Sequence, residues 1–249
     1  MASKKNALVP AAAAPQTTAL ANWEDDMKKE AKDLASKVTV TSQKISFKGG
    51  DISIGGNPVS NPLPVLIADA CFENALYTAD FDPDHPAIPE CFAFGRDEAT
   101  MKPDADSAKP RHAECKSCPL NQFGSSGRGK ACKNQVRLMV YSGSVTAEEI
   151  PTAEVLPATL PPTSISNWAA YVKGLRDMGL VPWATITNLG CEKFKTWFKV
   201  TFRPTGKITG EMWAALKQRR PSVEEMMMQP YKAREAEAPA APARGKRKF

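Results

Sequence analysis

The chain has 249 residues, 42% of them hydrophobic, and its 33 lysines and arginines against 27 aspartates and glutamates give a formal net charge of +6. That length can bury a substantial core, in one domain with extensions or in two small ones, and the basic balance makes a polyanion a plausible partner. No apolar run approaches the roughly 20 residues that span a bilayer, and the alanine run from Ala7 to Ala14 is broken by Pro10 and does not read as a secretory signal. The expectation is a soluble, cytoplasmic protein of a reducing interior, with no membrane partner.

Residues 1–20 are rich in Ala, Pro and Thr and are expected to be disordered. Asn22 is a good N-cap with Asp25 and Asp26 in the turn that follows, and Trp23, Met27, Ala31, Leu34 and Val38 recur at helical spacing, which predicts a helix with one apolar stripe. The period then changes to two. Val38–Thr41 and Lys44–Phe47 alternate, Lys48-Gly49-Gly50-Asp51 supplies a turn, and Ile52–Ile54 ends at Gly55-Gly56-Asn57-Pro58, together a β-hairpin signature. Leu63–Ala70 reads as a buried strand, and Asp80–Pro89, with three prolines, as loop. Gln135–Tyr141 returns to strand-like residues, and Pro151–Pro162 reads as a proline-rich connection. Ser164–Met178 predicts a helix with Ile165, Trp168, Val172 and Leu175 on one stripe and Gly179 as the stop. Strands around Pro182–Asn188 and Lys193–Arg203 are expected to flank a turn at Leu189-Gly190. Two short helices should follow, one capped by Thr209 and one by a Ser222/Glu225 capping box. Residues 232–249 are Ala/Pro/Glu-rich and end Arg244-Gly245-Lys246-Arg247-Lys248-Phe249, a disordered tail with a basic tip. The fold class is mainly β with peripheral helices (α+β): a small β-barrel or strongly bent sheet, with a loop inserted between strands.

That loop holds four of the six cysteines, Cys91, Cys115, Cys118 and Cys132, spaced C-x23-C-x2-C-x13-C. A Cys-x2-Cys pair turns two thiolates toward one point, and a tetrahedral zinc ion takes two more from elsewhere in the chain. Residues 115–132 have too few large apolar side chains to form a core, and a metal would supply the missing folding free energy, on the order of 10 kcal/mol in small zinc modules. One structural zinc per chain is expected on these four cysteines, closed to water. His112, three residues before Cys115, is the alternative to Cys91; without metal, the reading is free buried thiols or disulfides. Cys71 and Cys191 each stand alone among apolar residues and read as core.

Taken as one strand, Lys193–Arg203 alternates: Phe194, Thr196, Phe198, Val200 and Phe202 on a core face, and Lys193, Lys195, Trp197, Lys199, Thr201 and Arg203 on the other. Cations that track phosphates around an exposed aromatic platform for a base are what single-stranded nucleic acid requires. The plainer reading is a tryptophan packed on a neighbouring strand among solubilising lysines. In the cysteine loop, Arg111, Lys116, Arg128, Lys130 and Lys133 surround Phe123. Gly124, Gly127 and Gly129 either let backbone N–H groups approach a phosphate or simply serve tight turns. Gly124–Lys130 fits half of a nucleotide-binding P-loop, but Ala131 stands where the Mg²⁺-binding hydroxyl belongs, which excludes it. Asp80, Asp82, Asp84 and Glu90 could hold Mg²⁺ for phosphodiester cleavage, or cap turns in a proline-rich loop. With two histidines and neither a nucleophile elbow nor a dinucleotide fingerprint, no enzyme is expected.

A small β-barrel interrupted by a zinc-binding loop, with a basic aromatic cleft and tails, resembles the single-stranded DNA-binding proteins of tailed bacteriophages, in outline from Val38 to Arg203. The pattern Cys91-Phe-Ala-Phe-Gly95, Cys115-x2-Cys118-Pro-x-Asn121, Gly127-x-Gly129-Lys130-Ala-Cys132 is similar to phage proteins of replication modules. The resemblance implies an OB-like nucleic-acid-binding domain over 21–231 with a zinc-binding insertion at about 91–133. It also implies non-sequence-specific coating of ssDNA in phage DNA replication, recombination or repair, without catalysis, in the host cytoplasm. Replication or recombination proteins would be partners through the tails. The chain departs from that group in its basic rather than acidic C-terminus and in its cysteine spacing, which differs from the histidine-containing zinc site of the best-known phage helix-destabilising protein. Two other readings stand beside it: a zinc-containing regulator that binds duplex DNA or a polymerase, and a Mg²⁺-dependent nuclease.

Overall fold

Gly49 and Gly50 have φ of 66° and 101°, the left-handed values that a two-residue hairpin turn demands. They join β1 (Ile45–Lys48) to β2 (Asp51–Ile54) in the register Lys48↔Asp51, the hairpin the sequence predicts. The structure is a computed structural model and describes Met27 and residues 43–78, 88–195 and 197–231. The expected N-terminal helix (apart from Met27), the 38–41 strand, the 80–87 loop and the C-terminal tail lie outside the described residues.

Seven more strands complete one sheet: β3 (Asn57–Pro58), β4 (Leu63–Leu76), β5 (Cys91–Gly95), β6 (Lys133–Ser142), β7 (Leu156–Leu160), β8 (Thr185–Phe194) and β9 (Trp197–Lys207). The order is β3-β2-β1-β7-β6-β4-β8-β9, with β5 also on β4. β4 is the spine. β6 runs antiparallel along one of its edges, while β8 takes residues 63–66 and β5 takes residues 72–76 of the other. The sequence marks β4 only as far as Ala70, because Asp69, Glu73 and Asn74 interrupt its apolar pattern; all three are buried and the strand continues through them. β7 was expected to be connection. It carries Pro157, but it meets β1 at the single pair Ile45↔Ala158, so a missing N–H near its start disturbs little.

The sheet is not closed into a barrel, which corrects that expectation; it is open and strongly bent. β2 and β8 are five places apart in strand order, roughly 24 Å if flat. Yet the Asn61 amide donates to both Gly50 O and Cys191 O at 2.9 Å, and its Oδ1 accepts from Cys191 N at 3.0 Å. The sheet therefore curls until one side chain bridges the gap, with no ladder between β2 and β8 among the described residues. Inside the curl, Ile45, Ile52, Ile67, Leu138, Leu189 and Val200 form the main core.

Helix α1 (Ile165–Asp177) caps that core with Trp168, Tyr171 and Leu175, and ends before Gly179 at φ 67°. Its N-terminal turn also protects an exposed edge. Ser164 Oγ accepts from Val200 N at 2.9 Å, Asn167 donates to Val200 O at 2.9 Å and Thr163 to Phe198 O at 3.1 Å, so the Phe198–Val200 part of β9's outer edge is satisfied by side chains. Helix α2 (Gly210–Met227) covers the opposite sheet face through Leu216, Val223 and Met227. Thr209 caps it as expected, accepting from Met212 N at 3.2 Å. The predicted break at Ser222 does not occur: the helix passes through Pro221, and Ser222 bonds back to Arg219 O. Burial on both sides of Pro221 outweighs the one hydrogen bond that the proline removes.

Candidate nucleic-acid interface and metal centre

The chain reverses at Lys195, six residues later than the expected turn at Leu189-Gly190, and this rearranges the aromatic strand. Phe194 ends β8 and Trp197 begins β9, paired directly across the hairpin. Phe198, Val200 and Phe202 face the main core as expected. Phe194, expected in the core, instead lies against Trp197 with ring centroids 4.6 Å apart and planes at 14°. The two rings are 39% and 41% exposed, large apolar faces left in water at the end of a hairpin. Lys199 Nζ stands 5.0 Å from the indole centroid and 5.7 Å from the Phe194 ring, within cation–π reach. Lys199, Thr201 and Arg203 share the Trp197 face, with Glu192 opposite Lys199 and Asn188 opposite Arg203. Lys193 pairs with Phe198 and so points to the other face, where Gly50 approaches its Cβ. Lys195 is at the turn and exposed; Thr196 lies outside the described residues. Among the described residues, Lys193, Lys195, Lys199 and Arg203 form no salt bridge.

The cysteines gather at the far end of β4. Leu76 pairs with Cys91 on one side, and Ala75 with Lys133 on the other, so Cys91 and Cys132 flank the last residue of the spine strand. The loop between them brings Cys115 and Cys118 to the same cavity, which the thiols share with Asn74 and Asn121 and whose free volume of about 20 Å³ suits a single ion. The loop is hydrogen-bonded rather than packed: Asn121 donates to Cys115 O at 2.8 Å, Cys132 N to Leu120 O at 2.9 Å and Gly124 N to Gly129 O at 2.9 Å. Asn121 Oδ1 is buried there without a partner. Burial, with neighbouring Cys115, Cys91 and Cys118 adding to it, pushes the Cys132 thiol up to about 12, and burial likewise raises Cys115. A divalent cation reverses that balance by favouring thiolates. The four sulfurs fit zinc in number and softness. As they stand, no three His, Cys, Asp or Glu side chains among the described residues are gathered as a metal-holding group, so holding an ion there would require the thiols to draw together. His112 also lines the cavity, but it is exposed and its Nδ1 is engaged by Glu114 and Ser117. All six cysteines are free; Cys71 and Cys191 are buried in the two main cores, as expected.

The two candidate patches are not one surface. Phe123, Arg128 and Lys130 belong to the cysteine loop beyond Leu76, whereas the aromatic hairpin projects beyond Leu63 at the other end of β4. The whole of β4, fourteen residues and roughly 45 Å measured along the strand, lies between these two ends. Ser126 and Gly129 form a small bridge and no helix follows Lys130, which agrees with the exclusion of a P-loop.

A further polar centre was not expected from sequence. On the α2 side of β4, Asp69 is fully buried and accepts from Arg96 at 2.5 and 2.6 Å, from Arg220 at 3.2 Å and from Ala70 N at 2.9 Å. Burial raises its pKa, but the Arg96 hydrogen bonds, the Ala70 N–H and the two guanidinium charges outweigh it, and the net displacement is downward. Four residues on, buried Glu73 accepts from Arg137 at 2.9 Å and from the Tyr231 hydroxyl, and Arg137 lies 4.2 Å over the Phe94 ring. The signal in the sequence is two carboxylates set among the mostly apolar residues of one strand; buried acids demand partners. Both are saturated by arginines and tyrosine, an arrangement that fastens α2 and the following residues to the sheet. Of the proposed Mg²⁺ ligands, Asp80, Asp82 and Asp84 lie outside the described residues, and Glu90 is paired with Lys109 and Arg111. No helix among the described residues is long and apolar enough to cross a membrane. Comparison with protein families, with curated proteins and with solved structures returned no match.

Proposed function

We propose that this protein binds single-stranded DNA without sequence preference and without catalysis, coating and protecting it during replication, recombination or repair, and that one structural zinc closes the cysteine loop. The observation that carries the reading is the exposed Phe194–Trp197 stack at the end of a hairpin, with Lys195 and Lys199 beside it and Arg203 farther along the same face, none of them in a salt bridge among the described residues. A ring pair offers a base a flat apolar face, and unpaired cations beside it meet the phosphates. The relation to OB-type and phage ssDNA-binding proteins is part of this proposal; its support is the curled sheet, the loop inserted between its strands and the cysteine pattern.

The test is a titration followed by tryptophan fluorescence over a range of salt, comparing oligo-dT, oligo-rU and duplex DNA. Three phosphate contacts, from Lys195, Lys199 and Arg203, give a log–log salt slope of about −2 for a single strand. Oligo-dT should bind tighter than duplex. Equal or tighter binding of duplex would replace this reading with that of a regulator acting on double-stranded DNA.

A further inference from the structure

The cysteine loop bears a second set of groups with the same chemistry as the hairpin, set apart from it by the length of the sheet. Phe123, 82% exposed, is the most exposed large apolar side chain among the described residues. Its backbone is not slack: Gln122 donates to Lys116 O at 2.8 Å, Ser125 Oγ donates to Leu120 O and accepts from Ala131 N at 2.9 Å each, and Gly124 N closes on Gly129 O. The ring is therefore held outward on a fixed loop. Residues 115–133 carry Lys116, Arg128, Lys130 and Lys133 and no carboxylate, and among the described residues none of these four cations forms a salt bridge.

We infer that this loop is a second contact for the same single strand, so that one chain holds ssDNA at two points, the Phe194–Trp197 hairpin and the Phe123 loop. The inference rests on the reading proposed above. From Phe194 the sheet runs five residues to the Leu189↔Leu63 pair and thirteen more to Leu76, about 60 Å along the strands. A stacked strand covers that in roughly 18 nucleotides at about 3.4 Å each, and a more extended one in fewer. A six-nucleotide strand occupies one contact; a strand of some twenty occupies both. Joining two weak contacts on one ligand raises its affinity by about 10²–10⁴ when the linker can reach.

The experiment uses the full chain and three ligands: dT6; two dT6 tracts joined by an uncharged polyether linker that reaches at least ~60 Å; and the same two tracts on a linker limited to ~15 Å. Two dT6 should bind per chain. The long-linked pair should bind about 100-fold or more tighter than dT6, and the short-linked pair within the statistical factor of about two. Phe123→Ala with Arg128→Ala and Lys130→Ala should reduce the stoichiometry to one dT6 and abolish the long-linker gain. Circular dichroism confirms the fold, and Phe123→Ala alone, at an exposed site, repeats the test should the triple variant misfold. A long-linked pair no better than the short-linked one, or a gain that survives these substitutions, overturns the inference while dT6 binding sensitive to Trp197→Ala leaves the single-contact reading standing. If Trp197→Ala leaves dT6 bound as before with two per chain, the single-contact reading itself has failed and the inference with it.

Discussion

Trp197 and Phe198 are neighbours in sequence and face opposite sides of β9, so replacing each with alanine separates binding from folding. The Trp197 indole is exposed and its main partner is the Phe194 ring at 4.6 Å. Losing that stacked pair costs roughly 0.5–1.5 kcal/mol of stability, a shift of only a few degrees in a domain of this size. Losing a base platform costs about 1–3 kcal/mol of ssDNA affinity, roughly 5- to 150-fold in Kd. Phe198 packs on the core inside the curl, and its carbonyl accepts from Thr163. A fully buried Phe→Ala costs about 3–5 kcal/mol; Phe198 is partly exposed, so about 2–3 kcal/mol is expected, with ssDNA affinity of the folded fraction unchanged. The assays are guanidinium unfolding and anisotropy with labelled dT20, at one salt concentration. Trp168 is buried, and Trp197 is the one tryptophan of the exposed stack, so Trp197→Ala should also remove most of the fluorescence change on binding. The reasoning is refuted if Trp197→Ala unfolds the protein while Phe198→Ala remains folded and loses affinity, or if neither changes Kd.

The other expectations are as follows. Protein prepared without chelators should contain one zinc per chain, and Cys118→Ser should lose the metal and expose amides of residues 91–133 to exchange, whereas Cys191→Ser should keep the metal; metal-free protein would refute the zinc reading. Lys199→Ala and Arg203→Ala should each weaken ssDNA binding equally across sequences and flatten the salt slope by about 0.7; an unchanged slope would remove them from the interface. Asp69→Asn should destabilise by about 2 kcal/mol at pH 7, less than the 3–5 of a fully buried pair because Arg96 and Arg220 can turn to water. Since the folded-state pKa of Asp69 lies below its ordinary value, its contribution is present above pH ~4 and lost as pH falls through the folded value. The gap between wild type and Asp69→Asn should therefore close in acid, and a gap independent of pH would show that shape rather than charge is at stake.

What could be read from the sequence was local. The Gly49-Gly50 turn, the α1 stripe with its Gly179 stop and the Thr209 cap each depend on a few adjacent residues, and each is found where the pattern puts it. What could not be read depends on partners far along the chain. The β8–β9 turn was misplaced because Leu189-Gly190 looks like a turn locally, yet Leu189 pairs with Leu63 and with Phe202 on either side, and a strand central to a sheet tolerates a glycine whose neighbour is Thr201. β7 reads as loop because Pro157 lies within it and Pro161 and Pro162 follow it, while its ladder to β6 is invisible until β6 is placed. The cysteine spacing announced a common site, but the meeting of Cys91 and Cys132 across Leu76 depends on β4 having β5 and β6 on its two edges.

The C-terminal half of β4 joins these features physically. Alternation along it sends Asn74 and Leu76 toward the cysteine cavity and Glu73 toward Arg137 and Tyr231. Apolar cover is present on both sides but smaller than that of Trp168, Tyr171 and Leu175 at the other end: Phe92, Phe94 and Tyr231 on the Glu73 face and Ala93, Met101 and Phe72 on the other. This end of the sheet is thus lined by polar groups on both faces: four thiols around one small cavity on one face, paired charges under α2 on the other. Such contacts are directional where apolar burial is not, since each depends on a particular donor meeting a particular acceptor. Together with the small cluster of Ala93, Met101 and Cys115 beneath it, they fix the orientation of the loop between Cys115 and Cys132, and Phe123 and its cations stay out in solvent rather than folding in.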